Sequence, residues 1–242
     1  MADRRTAIVA GTGFAEIHAL LGGAGFRMAG SARDAGEALA LLGRIQADLL
    51  LADAVLPGMD GPALAEAVLN RPLWVHPAVI LAAPKGLRPP GAERLRPANA
   101  ALLEKPLTSG AVAAAYREIV ERPPALTPDR AARLTALLDA LGVPEHPGRH
   151  ALAEAVALAW LDGRRLRAMR QRLYPAAGAA AGLDPAQTER AIGHAIDAAW
   201  RSSAMEAQYR VFGDTIDATR GRPTCGEMIA RLADILRWEG RL

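Results

Sequence analysis

The sequence predicts two domains of different class, an α/β domain with a parallel sheet followed by an all-α domain that carries a helix-turn-helix. Three observations carry the prediction. Over residues 6–119, short apolar runs alternate with helical patterns. A Pro-rich stretch follows, after which the patterns are helical. Within that second part, residues 173–201 (LYPAAGAAAGLDPAQTERAIGHAIDAAWR) read as a helix, a glycine turn and a helix. At 242 residues the chain is long enough to bury two cores.

In the first part the apolar runs are residues 6–10 (TAIVA), 27–30 (RMAG), 48–52 (DLLLA), 78–82 (AVILA) and 101–103 (ALL). Amphipathic or Ala-rich segments such as 34–42 and 62–69 lie between them. Five such units imply a parallel sheet covered by helices on both faces, with chemistry at the carboxyl ends of the strands. Asp53 stands there, followed by the turn-forming AVLPGMDG, and so does Lys105, followed by Pro106. Gly11, Thr12 and Gly13 hint at a dinucleotide loop. The third glycine of G-x-G-x-x-G is replaced by Glu16, which would repel a pyrophosphate, so a nucleotide-binding enzyme rests on two glycines and is set aside.

Residues 121–129 (ERPPALTPD) lack periodicity and read as a semi-stiff linker. The expected boundaries are 1–121, a linker over 122–130, and 131–242. A helical pattern over 130–141 ends at Gly142, and the irregular VPEHPGRH follows. His146 and His150 are four apart, but Pro147 and Gly148 break the helix that would align them on a metal, so they read as structural histidines. A helix from about 150 to 162 and an Arg-rich helix running into Leu173, Tyr174 and Pro175 come next. Arg149, Arg164, Arg165, Arg167, Arg170 and Arg172 outnumber Glu154 and Asp162 here.

In the helix-turn-helix, Pro175 suits the start of the short helix and Gly182 its left-handed close. Asp184 caps the second helix, Pro185 takes its first position, and Gln187 completes a D-x-x-Q capping box. Ala191, Ile192, Ala195, Ile196, Ala199 and Trp200 form one apolar stripe. Gln187, Arg190, His194 and Arg201 lie opposite, with Glu189 at the edge, where base and phosphate contacts would be made. Any amphipathic helix pair of an all-α domain would share these features. Downstream, Arg220, Gly221, Arg222 and Pro223 lead into Thr224 and Glu227, a T-x-x-E capping box. Its helix carries Met228, Ile229, Leu232, Ala233 and Leu236 on one face. The flanking arginines suit a phosphate clamp or a solvated rim around a capped core helix.

The net charge of +3 permits a nucleic-acid partner without requiring one. Cys225 is the single cysteine, so neither a disulfide framework nor a cysteine-based zinc site is available. Residues 6–10 are too short for a signal-peptide core, and no apolar run approaches membrane-spanning length. A reduced, cytoplasmic protein with no membrane partner is the expectation.

Asp53 and Lys105 at those strand ends resemble the receiver domain of two-component response regulators over about residues 5–121. The resemblance implies a flavodoxin-like doubly wound fold, with Asp53 in the phosphoacceptor position and Lys105 as the lysine that neutralises phosphoryl charge. Family receivers hold a divalent cation on an acidic pair after the first strand. Gly11 and Thr12 stand there instead, Ala82 replaces the Thr or Ser after the fourth strand, and Leu102 replaces the aromatic switch residue. One carboxylate plus backbone is a poor site for a hard cation. The expectation is a degenerate receiver without cofactor or metal, phosphorylated weakly or not at all, whose Asp53 and Lys105 form an ion pair at a loop rim.

LGVPEH, LYP, ERAIGHAIDAAW, VFGDTI and RPTCGEMIARLADILRWE, in this order, resemble the effector domain of the master sporulation response regulator family over about residues 131–239. The resemblance implies a DNA-binding transcription regulator of the sporulation-initiation type, not an enzyme. It would read a double-stranded promoter box as a homodimer, with a phosphotransferase, kinase or RNA polymerase as protein contact. Carried over by position, Glu189 and Arg190 match the base-reading pair, His194 the histidine of the same helix, and Arg220, Arg222 and Thr224 the basic turn and cap. Gln187 and Gly193 replace family arginines, which lowers affinity or shifts base preference. The alternative is an adaptor that binds phosphorelay proteins or a functional paralogue without reading DNA.

Overall fold

The computed structural model describes residues 5–92, 99–121, 126–213, 215–216 and 220–238. The chain divides into two compact units, Met1–Ala125 and Leu126–Leu242.

In the first unit, β1 (Arg5–Ala10), β2 (Phe26–Ala32), β3 (Leu49–Asp53), β6 (Ala78–Ala83) and β7 (Ala100–Glu104) form one parallel sheet in the order β2-β1-β3-β6-β7. This is the doubly wound order that reverses direction beside its first strand and opens a crevice at the carboxyl ends. The central strands β3 and β6 are apolar throughout because both faces are covered: Leu49, Leu50, Leu51 and Ile80 are all buried. Between them, β4 (Val55–Leu56) and β5 (Met59–Asp60) pair antiparallel, where the sequence suggested a loop without strands.

Helices α1 (Phe14–Gly23), α2 (Ala35–Leu42), α3 (Gly61–Asn70) and α4 (Ser109–Glu121) belong to this unit. Asp34 and Asp60 cap α2 and α3 by accepting from Glu37 N and Ala63 N, both at 2.8 Å, so the chain enters each helix at a fixed residue. One face of the sheet packs Val9, Leu49, Leu51 and Ile80 against Leu21 of α1 and Val112, Tyr116 and Ile119 of α4. The Phe26 and Tyr116 rings meet edge to face at 4.9 Å there.

The second unit is helical. Helix α5 (Pro128–Ala140) begins inside the expected linker, because Pro128 supplies a first-turn residue that needs no N–H partner. Residues 122–125 of that linker lie outside the described residues. Gly142, at φ 64°, follows α5, and α6 (Pro147–Leu161) is the central buried helix. Pro147 and Gly148 therefore open a helix instead of breaking one, and His146 is its cap, accepting from Gly148 N at 3.0 Å. Arg149, counted above among the basic residues, is buried and held by Val143 O and Asp139, each at 2.6 Å.

The expected Arg-rich α-helix is instead a 3-10 segment (Gly163–Ala168) followed by a π turn (Met169–Leu173). Asp162 ends α6 in extended geometry, and its carboxylate accepts from Arg164 N at 3.0 Å, which starts a tighter winding. Helices α7 (Tyr174–Ala181), α8 (Pro185–Ser202), α9 (Met205–Phe212) and α10 (Cys225–Trp238) complete the unit. Arg237 of α10 is buried and donates to Ala159 O and Trp160 O at 3.0 Å, satisfying carbonyls that the end of α6 leaves open.

Candidate functional site

Two groups of residues stand out, one in each unit. In the first, Asp53 ends β3 and Lys105 follows β7; Lys105 Nζ lies 2.6 Å from Asp53 Oδ1. Ala82 pairs with Asp53 in the register of β3 and β6, so an alanine stands beside Asp53 at the position where the receiver resemblance implies a hydroxyl. Leu102 lies in β7, partly buried, opposite Leu81. Gly11 follows β1 at φ 146°, and a Cβ built there would lie 2.5 Å from Asp53 Oδ2. The Asp53 carboxylate thus fills the room that a side chain at position 11 would need. A cleft of about 560 Å³ opens in front, lined by Thr12, Glu16, Ile17, Leu20 and Leu107 among others. Asp53 and Glu16 are its two carboxylates, and no group of three or more His, Cys, Asp or Glu residues able to hold a metal occurs among the described residues.

In the second unit, the helix-turn-helix is α7 and α8. Gly182, at φ 69°, makes the turn, a conformation that favours glycine. Asp184 accepts from Gln187 N at 2.7 Å and Gln187 Oε1 accepts from Asp184 N at 3.1 Å, closing the capping box. Gln187 is therefore exposed but committed in part to the cap. The inner face of α8 is Thr188, Ile192, Ala195, Ile196 and Ala199, all buried. Thr188 was not in the apolar stripe because it is polar; its hydroxyl is satisfied by donating to Asp184 O at 2.7 Å. A Cβ at Gly178 of α7 would overlap Thr188 Oγ1, and one at Gly148 of α6 would overlap Ala191 O, so α8 is seated directly on the backbones of both helices.

Arg190, His194 and Arg201 lie exposed along the outer face of α8, and Glu189 sits half-exposed beside them. Arg190 and Glu189 are not paired with each other. Arg190 donates along its own helix to Ala186 O at 3.3 Å, while Glu189 accepts from Arg170 Nε and Nη2 at 3.1 and 3.2 Å. That pairing raises the Arg170 pKa, through the hydrogen bond first and the carboxylate charge second. Beneath Glu189, burial pushes the Cys225 thiol and the Tyr174 hydroxyl up, and the Glu189 charge adds to both.

The basic turn is fastened to α8. Trp200 Nε1 donates to Gly221 O at 2.8 Å, and Arg222 Nε pairs with Asp197 of α8 at 2.9 Å. Arg220 forks onto Glu227 at 2.8 and 2.9 Å, and Thr224 and Glu227 exchange both bonds of their capping box. The expected clamp arginines thus already hold carboxylates. The Thr224 backbone N–H above all keeps the Glu227 pKa below the usual carboxylate range; burial opposes it, and the Thr224 hydroxyl and Arg220 add to the lowering.

Three groups in this region were not legible in the sequence. The Arg170/Glu189 and Arg222/Asp197 pairs and the Arg237 contacts with α6 join residues 19, 25 and 77 or more positions apart. Opposite charge is the signal they leave, and it is too common along this chain to choose partners.

Residues 134–236 match the family described as Sporulation initiation factor Spo0A C terminal. The first unit is similar to solved receiver domains. The response regulator receiver domain from Clostridium thermocellum is 21% identical, with TM-score 0.42, 49% of this chain and 95% of that one covered. The receiver domain (CheY-like) from Methylobacillus flagellatus is 19% identical, with TM-score 0.41 and coverages of 48% and 99%. The signal receiver domain of an HD domain-containing protein from Pseudomonas fluorescens Pf-5 is 23% identical, with TM-score 0.41 and coverages of 49% and 96%. The receiver-type fold rests on the strand order itself. The chain joins that flavodoxin-like unit to a helical C-terminal unit that matches the model of the sporulation initiation factor Spo0A C-terminal family.

Proposed function

We propose that this protein is a DNA-binding response regulator of the sporulation-initiation type, and not itself an enzyme. Its C-terminal unit reads a double-stranded promoter box through the outer face of α8. The observation that carries the reading is the presentation of Glu189, Arg190 and His194 on the solvent side of a capped helix whose other face is sealed into the unit. Arg190 can donate to guanine O6 and N7, and Glu189 can accept from cytosine N4. Thr224 and the turn around Arg220 and Arg222 meet the phosphate backbone, with Gln187 at the helix start. Binding is as a homodimer, and the receiver unit tunes it.

The receiver unit works without phosphorylation. With Gly11 and Thr12 at the end of β1, the acidic pair is absent, and the cleft offers Asp53, which Lys105 already engages, and Glu16 of α1, a set too small for a hard dication. Phosphoryl transfer onto Asp53 would crowd negative oxygens there without a cation to offset them. Incubation with radiolabelled acetyl phosphate is expected to leave the full chain unlabelled; label that disappears in Asp53→Asn would overturn this part.

The pairing of Arg220 with Glu227 and of Arg222 with Asp197 favours a second reading. In it, the unit is an adaptor that binds phosphorelay proteins or a paralogue and leaves DNA alone. A mobility-shift titration of the full chain over a salt series separates the two. A reader prefers one sequence and weakens steeply with salt, with a log–log slope of about −0.9 per phosphate neutralised, whereas an adaptor shows neither.

A further inference from the structure

The π turn before the helix-turn-helix places a guanidinium on the reading surface that the helix-turn-helix itself does not supply. Arg170 is exposed, with 76% of its side chain open to solvent, yet it makes a two-point fork onto Glu189 from a segment 19 residues earlier. The π turn that carries it is anchored at its far end, where Leu173 and Tyr174, which end the turn and begin α7, are buried. We propose that Arg170 is a specificity-determining residue of the DNA interface, which holds the Glu189 carboxylate in the orientation that reads a base.

The chemistry follows from the lone pairs. An ionised carboxylate has about four acceptor sites, and the fork uses one on each oxygen, so Glu189 can keep Arg170 and still accept from cytosine N4. Unpaired, the same carboxylate would be a mobile negative charge facing a phosphate backbone. Paired, it is locally neutral and restricted in rotation, so less freedom is lost when it meets a base. The fork engages Nε and Nη2, which leaves the Nη1 edge without a hydrogen bond among the described residues. That edge can add a phosphate contact.

This inference rests on the DNA-reading assignment above, and its test separates the two. The full-length wild type, Arg170→Ala, Arg170→Lys, Glu189→Ala and the Arg170→Ala/Glu189→Ala double variant are titrated against the preferred box. The same proteins are titrated against a panel of its single-base changes. Arg170→Ala is expected to flatten discrimination at the base that Glu189→Ala also flattens, by roughly tenfold, with little further loss in the double variant. Arg170→Lys keeps the charge but not the fork, so it recovers affinity while leaving discrimination at that base flattened. Uniform weakening by Arg170→Ala across all sequences, additive with Glu189→Ala, would reduce Arg170 to a phosphate contact and overturn the proposal. Full rescue of discrimination by Arg170→Lys would overturn it too. A wild type with no sequence preference would overturn the DNA-reading assignment itself.

Discussion

Replacing Gly178 by Ala sets two effects of opposite sign against each other at the centre of the helix-turn-helix. Gly178 lies within α7, where alanine is favoured over glycine by about 1 kcal/mol. Propensity alone therefore predicts a more stable protein. The added Cβ would sit 2.6 Å from Leu183 O and closer still to Thr188 Oγ1. Neither atom yields easily: one is backbone in the turn, and the other is held by its 2.7 Å bond to Asp184 O. Relief requires α7 to move away from α8. Overpacking of this kind costs about 3 kcal/mol at the upper end of its range, which leaves a net loss of about 2 kcal/mol. For a unit of this size that lowers its melting temperature by about 8 °C. Urea and thermal unfolding followed by tryptophan fluorescence would read it, since Trp160 and Trp200 both lie in this unit. The Gly178→Ala/Thr188→Ala double variant relieves one overlap and recovers part of the loss. A Gly178→Ala protein as stable as wild type, or more so, would refute the close seating of the two helices.

Other changes test other parts of the account. Arg237→Ala leaves Ala159 O, Trp160 O and Asp234 without their buried donor and is expected to destabilise the unit by about 3 kcal/mol in denaturant titrations; a loss below about 0.5 kcal/mol would show that the contact is ornamental. Because the folded-state pKa of Glu227 is depressed, its contribution to stability is present above the unfolded value of about 4.3 and fades as pH falls through the folded one. The stability gap between wild type and Glu227→Gln should therefore narrow on acidification, and a gap independent of pH between 3 and 7 would count against it. Gly11→Ala drives a methyl into the Asp53 carboxylate and adds a side chain at positive φ, so the first unit should lose about 1–3 kcal/mol; an unchanged melt would mean that Asp53 does not fill that space.

How much of this was legible from the chain depended on whether the signal was local. The D-x-x-Q and T-x-x-E boxes and the turn at Gly182 are set within a few residues and read correctly from spacing; of the stripe on α8, Ile192, Ala195, Ile196 and Ala199 are buried, Ala191 and Trp200 only partly, and Thr188 joins them. The apolar runs located the sheet strands to within two residues at each end, because a strand covered on both faces must be apolar along its length. The missed features are tertiary. The Arg-rich stretch between α6 and α7 reads as a helix in the sequence, but it winds as 3-10 and π turns, starting at the Asp162 cap and ending at the buried Leu173 and Tyr174. Likewise, Arg149 counts as surface charge until the partners that bury it are known. The collision that a side chain at position 11 would meet is set by β1 and β3 lying side by side, which no window of sequence contains.

The most direct test of the central claim is selection of binding sites from random double-stranded DNA by the full chain, run alongside Glu189→Ala and Arg190→Ala. One short enriched box is expected, with each variant losing preference at its own base at a cost of about 1–3 kcal/mol. Recovery of unenriched sequence by the wild type, or an enriched box that both variants leave unchanged, would contradict it.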